Sequence, residues 1–157
     1  MRGAACLVMA LLLVCVGGAA STPSMAVNED AAAPEPQKFY VEDIKAAMMN
    51  YIAAQVDADD IFRLRDDRTG EILALKFVKI HDPVRQIGDD TYFACTDFSV
   101  ASEPKKLYDL DFWMNPVTRE LKIYDTKVHK EPRWSLIYGW YKQPRYTFVN
   151  DRVVSLY

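Results

Sequence analysis

The spacing of hydrophobic and polar positions changes once along the chain, and the change predicts a helix followed by strands. Between Val41 and Val56 the apolar residues recur three and four positions apart, with Glu42 and Asp43 at the start, where the helix dipole favours acids. This spacing predicts an amphipathic helix of about four turns. The sequence Asp57-Ala-Asp-Asp then ends it.

After position 61 the alternation is that of β-strands. Two runs, 61–65 and 71–81, flank Asp66-Asp-Arg-Thr-Gly, a hairpin turn in which Gly70 can take a positive φ. A connection with a short strand before Gly88 comes next. Three runs rich in aromatic and β-branched residues, 91–101, 106–115 and 120–130, are then typical of an antiparallel meander. Asn115 and Pro116 fit the first two positions of a type I turn between the last two runs.

These elements predict an α+β domain, in which one N-terminal helix packs on a curved antiparallel sheet of about five strands, followed by an aromatic C-terminal tail. Their order over residues 39–130 resembles that of cystatin-like folds, a class that includes small secreted domains, inhibitors and some enzymes. The Gln-x-Val-x-Gly hairpin of true cystatins is absent, because the candidate turns begin at Asp66 and Asn115 and read differently. The resemblance therefore implies a fold and does not carry over protease inhibition.

The N-terminal residues are typical of a secretory signal peptide. Arg2 precedes an apolar stretch that ends in small residues, so we expect residues 1–20 to be removed after Ala20, with Ala26 as the alternative cleavage site. The stretch is shorter than the ~20 apolar residues of a transmembrane helix, and no second candidate span occurs. A lipid anchor at Cys15 is disfavoured because Val14 before it is not small. The sequence thus predicts export to a bacterial periplasm or secretion.

Composition divides the rest into a disordered linker, residues 21–37, and a single domain, residues 38–157. The linker is rich in Ala, Pro and acids and has almost no large side chain to bury. Loss of residues 1–20 leaves Cys95 as the only cysteine, so the domain has no internal disulfide. The net charge of −3 and the lack of a basic run exclude nucleic acid as a partner and a polybasic membrane anchor.

Acidic residues on the middle strand of the meander are the first candidate site. Asp109 and Asp111 lie two positions apart, so their carboxylates share a face, with Trp113 beyond them. Asp97 from the preceding strand and His129 from the next could join them. If Phe112 pairs with Ile123, Asp111 faces Tyr124 and Asp109 faces Thr126.

Three interpretations of this acidic face are open. Its oxygens could bind a divalent cation, or one carboxylate could act as a proton-transfer base with a raised pKa. The simplest interpretation, which we adopt, is a solvated face that discourages edge-to-edge pairing. In that case the acids pair with lysines at positions 122, 127 and 130.

Histidine and cysteine do not indicate a catalytic or zinc site. His81 ends a strand before Asp82-Pro83, and the two histidines of the chain lack a ligand spacing motif. Cys95, between Ala94 and Thr96, is typical of a buried, unreactive thiol. A Gly-rich phosphate loop and a Gly-x-Ser-x-Gly elbow are both absent from the sequence. We therefore predict no cofactor, no metal and no catalytic residue.

A short repeat marks the tail. Lys-[Glu/Gln]-Pro-Arg-aromatic-[Ser/Thr]-apolar occurs at 130–136 and again at 142–148. It could be two turn-then-strand segments whose arginines face solvent, the interpretation that we adopt. Alternatively, it is a duplicated recognition element that presents Arg133 beside Trp134 and Arg145 beside Tyr146 to anions or planar ligands.

The aromatic residues of the tail exceed what the helix-facing side of the sheet can bury. Either the tail covers the second face or it leaves an aromatic surface for a partner, and a ligand pocket is expected between tail and sheet. We predict a small exported binding or interaction module with a neutral, aromatic-lined groove for a protein or small-molecule ligand. The alternative is a metal-binding protein or small enzyme that uses the acidic face. Homodimerisation through an edge strand is also open.

Overall fold

The computed structural model describes residues 37–156. The predicted signal peptide and nearly all of the predicted linker lie outside these residues. Within 37–156 no helix has the length and apolar character needed to cross a membrane. The elements are α1 (Val41–Gln55), β1 (Phe62–Arg65), β2 (Ile72–Ile80), β3 (Arg85–Ile87), β4 (Thr91–Val100), β5 (Glu103–Val117), β6 (Glu120–Ser135), β7 (Gly139–Pro144), β8 (Tyr146–Val149) and β9 (Arg152–Ser155).

Seven strands form one antiparallel sheet. Six lie in the order β1-β2-β4-β5-β6-β7, the short β3 pairs with β4, and β8 and β9 form a separate hairpin. The predicted α+β class, with one N-terminal helix and an antiparallel sheet, is confirmed. The sheet has more strands than the five or so expected, because β3 and the tail strand β7 both join it.

The helix begins and ends where the sequence predicts. A carboxylate oxygen of Asp43 accepts a hydrogen bond from the backbone N–H of Tyr40 at 2.8 Å, which satisfies one of the free donors at the helix start. Beyond the last turn, Asp57 Oδ1 accepts from the N–H groups of Asp59 (2.9 Å) and Ile61 (3.0 Å) and so holds the loop into β1. The side of the helix that faces the sheet carries three buried residues, Ile44, Met48 and Ile52.

The main core lies between the helix and one face of the sheet. Phe98 of β4 and Phe112 of β5 are completely buried there, with ring centroids 6.1 Å apart, and Phe62 of β1 packs 5.2 Å from Phe98. Burial of each large apolar side chain stabilises the fold by about 1.5–3 kcal/mol. Leu110 and Met114 complete the apolar row of β5, as the alternation in the sequence predicts.

The β5–β6 hairpin turns later than predicted. Val117 pairs with Glu120, so the turn is Thr118-Arg119, and Thr118 takes a positive φ of 60°. The predicted type I turn at Asn115-Pro116 is therefore wrong, because both residues continue β5. The predicted pairing of Phe112 with Ile123 is also wrong: Phe112 pairs with Thr126, since the later turn and a β-bulge between Trp113 and Met114 together shift β6 by three residues.

The tail covers the second face of the sheet. Phe148 of β8 packs 5.0 Å from Phe93 and 5.8 Å from Trp113, which are cross-strand partners on β4 and β5. The neighbouring Tyr146 stacks on His129, with ring centroids 4.7 Å apart and planes 17° apart. The hairpin between β6 and β7, by contrast, stays exposed. The tail thus covers the second face through β8, as predicted, and a partner surface stays a prediction.

Buried ion pairs hold the tail in this position. The guanidinium of Arg145 donates to both carboxylate oxygens of Asp66, at 2.7 and 2.6 Å, and its Nε donates to Glu131 at 2.8 Å. Arg68 also contacts Glu131, at 2.5 Å. Arg145 retains 7% of its exposure and Asp66 1%, so the expectation that both repeat arginines face solvent is wrong for Arg145. It holds for Arg133, whose side chain is 55% exposed.

Removal of the Arg145 charge should destabilise the fold strongly. Arg145→Met leaves Asp66 and Glu131 buried without their main partner, and we expect the free energy of unfolding to fall by about 3–5 kcal/mol. Arg63→Met is the control, because this side chain is 55% exposed and pairs with the partly exposed Asp57 outside the cluster, and it should change the free energy by no more than ~0.5 kcal/mol. Urea unfolding of both variants checks this. Similar losses in the two would show that burial of the Arg145 cluster does not matter.

The same cluster makes stability depend on pH in the acid range. The hydrogen bond from Arg145 outweighs burial and holds the pKa of Asp66 far below its usual value. Burial opposes ionisation of Glu131, but Arg145 and Arg68 still lower its pKa. Because both pKa values are depressed in the folded state, their contribution is complete above the unfolded values of about 3.9 and 4.3 and is lost as the pH falls below them.

Asp66→Asn should therefore flatten the acid dependence of stability. Its free energy of unfolding at neutral pH is expected to be lower than that of the wild type, and to fall less steeply between about pH 4 and pH 2. Urea unfolding at stepped pH values measures both slopes. Parallel curves for the two proteins would show that Asp66 ionisation is not linked to folding.

Candidate functional site

Two cross-strand pairs form the base of the candidate site. On the tail-facing side of the sheet, Cys95 of β4 lies directly opposite Asp111 of β5, and Asp97 lies opposite Asp109. Side chains opposite each other in neighbouring antiparallel strands have Cβ atoms about 4.5–5.5 Å apart. Residues two apart on each strand share a face, so the four side chains make one patch.

A β-bulge adds His129 to this patch. Val128 pairs with Leu110 and Lys130 pairs with Asp109, so His129 is an extra residue in β6. Bulges redirect side chains, and this one leaves the His129 ring on the acidic side of the sheet. Its Nδ1 lies 3.4 Å from Asp111 Oδ1 and 3.8 Å from Cys95 Sγ.

The acids of the patch are buried, so the predicted solvated face is wrong. Asp109 and Asp111 have no exposed surface and Asp97 retains 6%. The physical reason is the tail, which the local pattern of β5 cannot reveal: the hydroxyl of Tyr146 donates to Asp111 Oδ2 at 2.5 Å. Of the three lysines expected as partners, Lys130 alone pairs with this patch, whereas Lys122 and Lys127 pair with Glu120 and Asp125.

One half of the patch is balanced in charge. Lys130 Nζ lies 2.9 Å from Asp109 Oδ2, and Lys142 Nζ forms an ion pair with Asp97. The two ring nitrogens of His81 face these acids, Nε2 at 3.0 Å from Asp97 and Nδ1 at 3.8 Å from Asp109. Burial opposes ionisation of Asp97, but the hydrogen bonds from Lys142 and His81 outweigh it and lower the pKa. Two carboxylates thus meet two ammonium groups.

The other half, around Asp111, lacks a positive charge. In the part of the chain that the structure describes, no lysine or arginine forms an ion pair with Asp111, and its Oδ1 accepts no hydrogen bond. Burial, followed by the charge of Asp111, raises the pKa of the Cys95 thiol and of the Tyr146 hydroxyl, so both stay protonated. Asp109 Oδ1 is likewise buried without a hydrogen bond. His129 is therefore the one basic side chain within ion-pair distance of Asp111 among the described residues, and buried carboxylate oxygens of this half have no hydrogen bond.

The arrangement does not suit nucleophilic catalysis. A Cys–His–Asp triad needs the nucleophile and the acid on opposite ring nitrogens, yet Cys95 and Asp111 both face Nδ1 of His129. It suits a metal ion better, because one ligand atom from each of Cys95, Asp109, Asp111 and His129 lies within 4.8 Å of the others. Tetrahedral zinc places nitrogen roughly 3.3 Å from oxygen and 3.6 Å from sulfur, close to the 3.4 and 3.8 Å found here.

The other residues singled out from the sequence lie around this patch or away from it. Trp113 packs beside it on Phe93 and Phe148, and Arg145 belongs to the neighbouring ion-pair cluster. Arg133 and Trp134 lie on the exposed hairpin. Their repeat counterparts are buried, so the two copies of the repeat do not form a duplicated surface.

Sequence reasoning missed three members of the patch. Cys95 lies two residues before Asp97 on the same strand, so the alternation that grouped Asp109 with Asp111 could also have found it. His81 and Lys142 carry no such local signal, because they reach Asp97 from the end of β2 and from β7.

A cleft lies between the tail and the sheet, where the sequence suggested a ligand pocket. Its lining includes Arg68, Lys127, Arg145, Tyr146 and Val153. Asp67, Val128 and Ser155 complete the lining, so three of its eight residues are cationic, one is acidic and one is aromatic, whereas a neutral, aromatic-lined groove was expected for a binding module. The cleft borders Tyr146 and thus lies next to the buried patch.

Comparison with known proteins gave no match. No protein family matches the chain. No curated protein and no solved structure is significantly similar to it.

The hydroxyl of Tyr146 should contribute measurably to stability. Tyr146→Phe leaves Asp111 Oδ2 buried without its donor, and we expect the free energy of unfolding to fall by about 1–3 kcal/mol. Tyr124→Phe, at a position that is 57% exposed, is the control and should have an effect of at most ~0.5 kcal/mol. Chemical unfolding measures both. An unchanged value for Tyr146→Phe would mean that Asp111 is satisfied in another way.

Proposed function

We propose that this protein is a metal-binding domain whose centre is formed by Cys95, Asp109, Asp111 and His129. The main support is that Asp109 and Asp111 are completely buried, yet each has an Oδ1 atom without a hydrogen bond. Buried polar atoms are almost always paired, and such exceptions often mark an ion that is bound. One carboxylate oxygen of each acid lies within 4.8 Å of a ring nitrogen and a thiol sulfur.

The charge balance of the patch also supports a cation. Lys130 and Lys142 compensate Asp109 and Asp97, whereas Asp111 has no lysine or arginine partner among the described residues and faces only the ring of His129, at 3.4 Å. A buried charge without a partner costs several kcal/mol. A divalent ion at Asp111 and His129 would compensate it and would displace the proton of the Cys95 thiol.

The ligand types favour zinc or a related late transition metal. Sulfur and imidazole nitrogen are ligands of Zn²⁺, whereas Ca²⁺ and Mg²⁺ require six or more oxygens. This revises the sequence-based expectation of a hard-oxygen site. Four protein ligands in a buried patch are typical of a structural or storage site, because a catalytic zinc keeps a position open for water. We therefore assign binding and not catalysis.

The cellular setting in this proposal comes from the sequence. The signal peptide predicts an exported protein, periplasmic or secreted, whose domain begins near residue 38. The cystatin-like character of the fold stays a prediction. So does a homodimer through an edge strand, for which β1 and β7, at the two ends of the sheet, are the available edges.

Metal-dependent stability tests the proposal. The mature chain, residues 21–157, is stripped with a chelator and unfolded with Zn²⁺, Co²⁺, Ca²⁺ or Mg²⁺. Zn²⁺ or Co²⁺ at a hundredfold over its Kd should raise the free energy of unfolding by about 2.7 kcal/mol, and Ca²⁺ and Mg²⁺ should have no effect. Absorption bands of Co²⁺ typical of a tetrahedral thiolate should appear as well.

Two substitutions locate the effect. Asp111→Asn and Cys95→Ser should each abolish the stabilisation by zinc, because each removes one ligand. Asp125→Asn is the control, since its side chain is 37% exposed and pairs with Lys127. The proposal is wrong if no ion stabilises the wild type, or if both ligand variants respond to zinc as the control does.

A further inference from the structure

The β6–β7 hairpin presents the most exposed apolar residues of the described chain. Leu136, Ile137 and Tyr138 form its turn and are 97%, 83% and 77% exposed. Behind them, Trp134 and Trp140 pair across the hairpin and are 60% and 37% exposed. Scattered apolar residues are common on protein surfaces, but a continuous group of this size marks an interaction site.

The chemistry of the hairpin changes in layers with distance from its turn. Residues 134–141 contain no charged side chain. Aliphatic residues lie at the turn. Ser135 pairs with Gly139 next to the turn, and Trp134 pairs with Trp140 one residue pair further from it. Arg133 then pairs with Tyr141. At about 3.4 Å per residue, Arg133 lies roughly 10 Å behind Leu136.

A second cation lies against the tryptophan pair. Lys106 of β5 places its ammonium 4.7 Å above the ring of Trp140. The two cations also have acidic partners, Glu131 for Arg133 and Glu103 for Lys106. Both cations remain partly exposed, with 55% of the Arg133 side chain and 26% of the Lys106 side chain accessible. They could therefore reach phosphate groups.

The hairpin is also held in one conformation. The rings of Trp134 and Trp140 meet edge to face at 5.6 Å, and Gly139 takes φ +67°, a conformation that residues with a side chain rarely adopt. The hydroxyl of Ser135 accepts from the N–H of Ile137 at 3.2 Å. A rigid turn loses little conformational entropy on binding. A backbone N–H that already has a hydrogen bond costs less free energy to transfer from water to an apolar environment.

We propose that this hairpin inserts its turn into the surface of a lipid bilayer. Aliphatic residues would enter the acyl boundary, the tryptophans and tyrosines would occupy the interface, and Arg133 and Lys106 would meet the phosphates. This order and the depth of about 10 Å match the layers of an interfacial membrane site. A groove on a protein partner would not require cations behind a ring of aromatic residues. The proposal is independent of the metal centre.

Vesicle binding tests the proposal with the mature chain, residues 21–157. The lipids are phosphatidylcholine alone and phosphatidylcholine with phosphatidylglycerol, which separate recognition of phosphate from recognition of net negative charge. We expect co-sedimentation with both, and quenching of tryptophan fluorescence by brominated acyl chains. Leu136→Asp/Ile137→Asp should lower the bound fraction at least about tenfold, because charges are excluded from the acyl region.

The control carries the same charges at exposed apolar positions elsewhere. Val78→Asp/Val117→Asp should bind vesicles as the wild type does, since Val78 lies in β2 and Val117, the last residue of β5, pairs with Glu120 at the start of β6, away from the hairpin. Circular dichroism confirms that both double variants are folded. The proposal is overturned if the wild type binds neither vesicle, or if both double variants bind equally. It is also overturned if the hairpin variant loses self-association in sedimentation velocity while vesicle binding is unchanged.

Discussion

The bidentate ion pair between Arg145 and Asp66 is the interaction on which the rest of this structure depends. It joins the start of β8 to the β1–β2 hairpin, and Glu131 of β6 completes the contact. The next residue, Tyr146, is thereby placed over His129 and Asp111. Two adjacent residues thus have complementary roles: Arg145 anchors the tail, and Tyr146 covers the site. Without the anchor, the acids of β5 would face water.

The charges under the tail divide into two groups with different properties. Around Asp97 and Asp109 the lysines already supply the opposite charge, so this group is complete in the protein alone. Around Asp111 the hydroxyl of Tyr146 is the hydrogen-bond donor, no lysine or arginine of the described chain forms an ion pair, and the Oδ1 atom has no hydrogen bond. A fold that buries such a group without a counter-charge loses stability, unless the missing charge comes from outside. This asymmetry distinguishes a candidate binding centre from an ordinary buried salt bridge.

The sequence predicts local features of this fold well and long-range features poorly. Periodicity locates the helix, most strands, the positive φ of Gly70 and the shared face of Asp109 and Asp111, because each depends on neighbouring residues. The burial of those acids could not be predicted, since it depends on a tail 35 residues away in sequence from Asp111. The position of His129 depends on bulges, which shift register without a clear local signal.

The two copies of the tail repeat show a related limit. Their residue types agree, yet Arg133 is exposed and Arg145 is buried. The first copy leads into the β6–β7 turn, whereas the second leads into β8, which lies against the sheet. The environment of each copy is therefore determined by the segment after it, and residue type alone could not reveal it. The first copy thus leads to the exposed apolar hairpin, and the second copy supplies the buried anchor of the tail.

The distance along the chain between Asp66 and Arg145 has a kinetic consequence. The pair closes a loop of 79 residues, for which the loss of chain entropy is about 4 kcal/mol. The β4–β5 hairpin, which carries Cys95, Asp97, Asp109 and Asp111, needs only local contacts and can form much earlier. Its carboxylates are then still hydrated, and they lose their water when the tail docks. The site is therefore complete only when the tail docks. A ligand that binds this site would then bind only to the fully folded domain.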